Sequence, residues 1–210
     1  MKIVILNTSD SKGGAAIVSL RLMRALCAAG MDARMLVVDR RTDDERVAVA
    51  GTPEQLKWAF LRERLDIFVR NGLLRSELFK VSIANKGVDV LSHPWVKNAD
   101  IVCINWINQG MMSLASLEAL GKMGKKLVWT MHDMWCLTGM CHHSYGCDHY
   151  RESCGKCRFV RFPHSHDLSY RTWKKKQRLY SRADFHFVAV SSWPVSYTHL
   201  RAHETAANLV

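Results

Sequence analysis

The side chains in this sequence best suited to chemistry lie close together. They are the pair His132-Asp133 and the four cysteines that follow, Cys141, Cys147, Cys154 and Cys157. An imidazole can hydrogen-bond a sugar hydroxyl or a phosphate, and an adjacent carboxylate can tune it. A satisfied structural histidine fits the same dipeptide. The cysteines follow the pattern C-x5-C-x6-C-x2-C, with His142, His143 and His149 interspersed. Four thiolates in one short loop suit a tetrahedral structural zinc, and Cys154–Cys157 has the tight-turn spacing of a zinc knuckle. Two disulfides, an iron–sulfur cluster or plain thiols are the alternatives. Four cysteines would close the coordination sphere, which argues against a catalytic zinc. A third feature is Gly13-Gly14, which follows the first apolar run. Glycines let backbone amides approach a phosphate, and a helix N-terminus behind them favours negative charge. The pair does not make a G-x-G-x-x-G fingerprint, and a bare turn is the other reading. Trp106 and Trp135 offer stacking faces for a sugar, whereas Trp129 lies inside a strand and reads as core.

The elements that must position these residues alternate strand and helix. Lys126–Met131 is an apolar run that delivers His132 and Asp133 at its carboxyl end, where ligands bind in open α/β sheets. Lys2–Asn7 is a first strand, Ser11–Gly14 a loop, and Ala15–Ala29 a helix stopped by Gly30. Ala33–Val38 is a second strand, completing a βαβ unit with a right-handed crossover. Asp39–Gly51 reads as a charged loop, Pro53–Arg75 as a helix and Phe79–Val96 as irregular. Ala99–Asn105 is a buried strand and Leu114–Leu120 a short helix. Leu168–Ser181 is a helix with a basic face of Arg171, Lys174, Lys175, Lys176 and Arg178, interleaved with Tyr170, Trp173 and Tyr180. Phe185–Val190 is a fifth strand, and Ser191-Ser192-Trp193 opens the next loop. The pattern predicts an α/β, Rossmann-like, mostly parallel sheet covered by helices on both faces, with an inserted cysteine-rich loop.

Bulk properties narrow the function. A chain of 210 residues, 48% of them hydrophobic, can bury one domain's core. Its formal charge of +11 suits an anionic partner: nucleic acid, a phosphorylated substrate or an anionic membrane. The basic helix with its aromatic residues suits a membrane surface. The sequence has no run of roughly 18 apolar residues, the length a membrane-spanning helix needs. Its N-terminus lacks the apolar core of a signal peptide, so a cytoplasmic chain with reduced thiols is expected. Val195–Thr205, VSYTHLRAHET, matches the translation of a transposon-end adapter used in sequencing libraries. The expectation is therefore that the natural sequence stops being represented near Pro194 and that 195–210 is a non-native tail.

These segments together resemble the N-terminal domain of family 4 glycosyltransferases, which have the two-domain GT-B architecture. The likeness is to the bacterial branch that builds exopolysaccharides, colanic-acid-type transferases included. It is carried by SKGGAAIVSLRLMRAL (Ser11–Leu26), ADIVCINWIN (Ala99–Asn108), LVWTMHDMWCLTGMCHHSYGCDHYRESCGKC (Leu127–Cys157) and VAVSSW (Val188–Trp193). Asn105 stands where many relatives have His before the Trp. The resemblance implies sugar transfer from a nucleotide-diphosphate donor to a glycan or lipid-linked acceptor. It implies that 1–194 is the acceptor-side domain, with its cysteine loop over 136–163, and that a donor-binding domain with a Glu-x7-Glu motif would follow. Gly13 and Gly14 would approach the donor phosphates and His132 would line the cleft. No organic cofactor is expected, and an anionic membrane at the inner face of the cell is a further expected partner. The competing reading is a non-catalytic zinc module that binds nucleic acid, drawn from the charge and the cysteines. A metal-dependent hydrolase with His132 and Asp133 as ligands is a third.

Overall fold

A computed structural model describes residues 1–73 and 75–190. The tail from Val195 onward and the Ser191–Trp193 loop lie outside the described residues.

The short apolar runs form a six-stranded sheet. Its strands are β1 (Lys2–Leu6), β2 (Asp32–Val37), β3 (Val47–Val49), β4 (Ile101–Ile104), β5 (Lys126–Met131) and β6 (Phe185–Ala189), in spatial order β3-β2-β1-β4-β5-β6. Every pairing is parallel, with Ile5 at the centre facing Met35 on one side and Cys103 on the other. Near-continuous apolar sequence in β1 and β4 is what a sheet buried on both faces requires. One face holds Ile3, Ile5, Met35 and Cys103 against Met23 of helix α1 (Gly13–Ala28). The other holds Val4, Leu6, Val102 and Ile104 against helices α2 (Pro53–Arg70) and α4 (Leu114–Gly121). Leu179 of helix α5 (Leu168–Tyr180) joins the same core. The chain is thus an α/β, Rossmann-like domain, as its strand–helix alternation predicts.

Local chemistry fixes the helix ends. Thr52 and Gln55 form a reciprocal capping box ahead of Pro53 at the start of α2. Asp167 caps α5 by accepting from the amides of Ser169 and Tyr170, and its other oxygen accepts from Cys157 N at 2.8 Å. One carboxylate therefore ties the last cysteine to the start of α5.

Three expectations need correction. Val47–Val49, inside the segment read as a loop, is an edge strand; three residues with one side chain exposed give too short a pattern to register. The helix expected over Pro53–Arg75 stops at Arg70, because Gly72 and Leu73 both turn to positive φ, 62° and 63°. Within the irregular stretch Phe79–Val96, a five-residue helix α3 (Pro94–Asn98) begins, capped by His93. The rest of that stretch is ordered by two buried residues of α2. Glu63 accepts from Ser82 Oγ and from the amides of Ile83 and Ala84, while Arg64 donates to the carbonyls of Leu78 and Val81. The two also pair with each other at 3.0 Å.

Candidate functional site

The strand order reverses between β1 and β4, and a cavity of about 1030 Å³ opens at their carboxyl ends. That volume is at the upper end of the roughly 300–1,000 Å³ usual for small-molecule sites. Loop residues stitched to one another form its floor. Asn7 Oδ1 accepts from Trp106 N at 2.9 Å, and Thr8 Oγ1 donates to the carbonyls of Trp106 and Asn108. These contacts hold the ends of β1 and β4 in fixed relation.

One wall is the start of α1. Lys12 takes the N-cap position but supplies no side-chain cap, and the first turn carries no acid. The unsatisfied amides of that turn and its positive pole are thus left for a ligand. Gly13 sits at φ 84°, a conformation costly for any residue with a Cβ. A Cβ placed on Gly14 would meet nothing within 4 Å, so glycine there leaves open space inside the cavity. Lys12 and Asp39, both lining the cavity, pair across it at 3.1 Å.

The opposite wall comes from the end of β5. His132 Nε2 lies 3.0 Å from Asn105 Oδ1. An amide oxygen only accepts, so Nε2 carries the proton and Nδ1 keeps a lone pair. Burial lowers the His132 pKa, only partly opposed by the Asp133 carboxylate, and the ring is neutral at pH 7. Asp133 is held by three donors: His142 Nδ1 at 2.7 Å, the Trp106 indole at 2.9 Å and the Trp135 amide at 2.8 Å. Burial alone would raise its pKa. The bonds from His142, Trp135 and Trp106 outweigh that, and the carboxyl lies below its ordinary range. The Trp106 ring, itself lining the cavity, also meets the His142 ring at 5.6 Å. Asp133 thus orients Trp106 and His142 more than it engages His132. An apolar side made by Val18, Leu56 and Phe60 completes the cavity. Gly110 lets the β4–α4 loop press against α2 there, its missing Cβ lying 2.7 Å from Phe60 N.

Of the residues singled out in the sequence, Gly13, Gly14, Trp106, His132 and Asp133 come together on this cavity. Trp135 does not. It is fully buried, donates to Ser82 O at 2.8 Å and stacks over Lys176 Nζ at 3.5 Å. It is a core residue, because the chain turns inward directly after Asp133. Asn7, Lys12, Asn105, His142 and His143 belong to the site or support it and were not singled out as its residues. Asn105 and Asn7 did carry a signal, each as a polar residue closing an apolar strand.

The loop cysteines are neighbours, Cys141 feeling the charge of Cys147 and Cys157 that of Cys141, but they pack into different clusters. Cys154 packs with Met134, Tyr150 and Trp173, and its sulfur accepts from Gly139 N at 3.1 Å. Cys141 and Cys157 border a separate cluster around Ile67, Met140 and Phe159. Burial raises both of their thiol pKa values, that of Cys157 to about 11. Among the described residues no group of three or more His, Cys, Asp or Glu side chains stands in metal-holding geometry. Cys141, Cys147 and Cys157 are free thiols in this structure. Packing and hydrogen bonds order the loop. Central among them is Lys176 of α5, 1% exposed, which donates to the carbonyls of Trp135 and Thr138. Its expected place on a solvated basic face is therefore overturned.

Fold and site together define a parallel α/β domain with a cleft at its topological switch point that one helix N-terminus faces. Among known proteins, the chain is 24% identical over 159 residues to WcaC of Escherichia coli (strain K12), a protein named provisionally as a colanic acid biosynthesis glycosyl transferase. The match covers 75% of this chain, which spans 39% of that relative's length. No family model and no solved structure matches the chain. Among the described residues no helix is long and apolar enough to cross a membrane.

Proposed function

We propose that this chain is the acceptor-side domain of a GT-B glycosyltransferase. The enzyme would transfer a sugar from a nucleotide-diphosphate donor to a glycan or lipid-linked acceptor in cell-surface polysaccharide synthesis. One observation carries the reading: the uncapped, glycine-led N-terminus of α1 faces the same cavity as His132 and Trp106. The glycosyl transferase named above supports it. Two residues at the N-terminus of a 16-residue helix can receive the charge that builds on a departing diphosphate. Lys12 adds a cation once it exchanges Asp39 for the ligand. Neutral His132 offers its Nδ1 lone pair to a sugar hydroxyl, and Asn105 holds the ring in that tautomer. Trp106, fixed by Asp133, presents a face for a pyranose to lie on. Positioning and electrostatic stabilisation would carry most of the rate.

The competing nucleic-acid reading needs a zinc module and a continuous basic face. Lys176, expected on that face, is buried, and the relative named above is named as a glycosyl transferase rather than a nucleic-acid binder. The transferase reading is tested with the complete reading frame continuing past Pro194. Supplied with nucleotide sugars and lipid-linked acceptors, it should release nucleoside diphosphate, and His132→Ala should cut that release by about 10²-fold or more. Release that is absent with every donor, or unchanged by His132→Ala and Gly14→Val, would refute it.

A further inference from the structure

A second hollow, sharing no lining residue with the cleft, runs between α2 and α5 with a volume of about 630 Å³. Its α5 wall carries Arg171, Lys174, Lys175 and Arg178, all exposed. They recur at one and two helical turns, roughly 5 and 10 Å along the axis. Each is three or four residues from two of the others, the spacing at which like charges on a helix repel. No carboxylate among the described residues pairs with any of the four. Asp66 is the one acid on the lining, and Arg70 at 2.6 Å and the Asn85 amide already occupy it. A row of unanswered cations along a hollow is therefore a cost to the helix that a bound polyanion would relieve.

The uncharged lining indicates which polyanion. Ile83 and Leu168 supply an apolar patch, and Gln177 and Ser181 supply polar groups without charge. Asn85 gives its amide hydrogens to Asp66, and its Oδ1 is buried with no hydrogen-bond partner. A sugar ring that bears a carboxylate matches all three kinds of group. Its C–H face suits the apolar patch, its hydroxyls suit the amides, and its carboxylate suits the two-pronged guanidinium of Arg171 or Arg178. The repeat of cations over two turns suits a linear chain with acid on successive units better than a single anion. Single-stranded nucleic acid is held by bases stacked on open aromatic rings. Tyr170, on this lining, already meets His166 at 4.6 Å, Trp173 at 6.5 Å and Lys174 at 5.9 Å, and Trp173 itself is buried.

We propose that the α2–α5 groove binds an acidic polysaccharide, a chain of uronic-acid sugars, at a site separate from the cleft. The assignment does not depend on the transferase reading. In isothermal titration calorimetry the 210-residue chain should bind a galacturonate hexamer, less tightly as salt rises, and should not bind neutral maltohexaose. Lys175→Glu with Arg178→Glu should weaken the galacturonate hexamer on the order of 100-fold. Arg21→Glu with Lys97→Glu, the same change of charge outside the groove, should weaken it about threefold at most. All four side chains are exposed, so circular dichroism and Tm should be unchanged in both variants. Gln177→Ala should weaken the galacturonate hexamer about fivefold and leave any residual binding of hexaglutamate as it was. The proposal is overturned if the galacturonate hexamer does not bind, if maltohexaose binds equally, or if the two charge-reversed pairs weaken binding alike. It is equally overturned if hexaglutamate or hexathymidylate binds as tightly as the galacturonate hexamer, which would assign the groove to an acidic polypeptide or to nucleic acid, or if Gln177→Ala affects the galacturonate and glutamate hexamers alike.

Discussion

Replacing Lys176 with Met should flatten the pH dependence of this protein's stability. Burial lowers the Lys176 pKa from 10.5 to about 7, and the nearby Cys136, Cys154, Cys141 and Asp133 offset that only in part. Between those values the unfolded chain holds a proton that the folded chain has released. The resulting penalty on folding is fully present below the folded pKa and disappears above the unfolded one, so stability rises with pH across this window. The limiting slope is about 1.4 kcal/mol per pH unit. The folded residue is already half-deprotonated at pH 7, so the gain from pH ~7 to ~9 is about 2 kcal/mol. The level at pH 7 is less informative. Lys176→Met relieves the desolvation penalty but leaves the Trp135 and Thr138 carbonyls without a donor, at roughly 1–3 kcal/mol each, and these effects nearly cancel. The slope separates them. Urea unfolding followed by far-UV circular dichroism, at both pH values and on both proteins, measures it. Cys136 and Cys141, which Lys176 holds down, move further above this window in the Lys176→Met protein and stay protonated in the folded chain. Parallel stability curves for wild type and Lys176→Met would refute the assignment of a buried, titrating lysine.

Other perturbations test the cleft. Gly14→Val should leave Tm unchanged, because its side chain enters open space, yet raise the donor KM of the complete enzyme by about tenfold or more through crowding of the helix amides. Gly110→Ala should destabilise by about 1–3 kcal/mol in thermal or urea unfolding, since the new Cβ meets the α2 backbone at positive φ. Asp133→Asn should cost roughly 1–3 kcal/mol at neutral pH by weakening the bonds to His142 and Trp106. The carboxyl's folded pKa is depressed, so its contribution is present above the ordinary value near ~3.9 and lost as pH falls through the folded one. The difference between Asp133→Asn and wild type should therefore shrink in acid, as denaturation at graded pH will show.

The sheet was legible because parallel strands are apolar at successive positions, as in Ile3–Leu6 and Val102–Ile104. The cleft was legible in part, since strand ends and a glycine pair mark the place where ligands bind. Its hydrogen bonds were not: Asn105 meets His132 across 27 residues, and no local period reports such a contact. The buried charges misled for a different reason. Lys176 sits in a run read as a basic face, and Glu63 and Arg64 sit among charges whose composition gives no sign of burial. Their spacing held the correction, because Ala59, Glu63 and Ile67 share one side of α2, and Trp173, Lys176 and Leu179 one side of α5. A polar residue at a core position of an amphipathic helix points to a backbone segment without regular partners. Here those segments are Leu78–Ala84 and Trp135–Thr138.

The tight seat of Phe60 on Gly110 makes α2 a lever as well as a wall. Leu56 and Phe60 line the cavity from this helix, so any displacement of α2 would change the cavity's apolar side. On the transferase reading, Gly110→Ala should therefore weaken acceptor binding as well as stability, as turnover of the complete reading frame at graded acceptor will show.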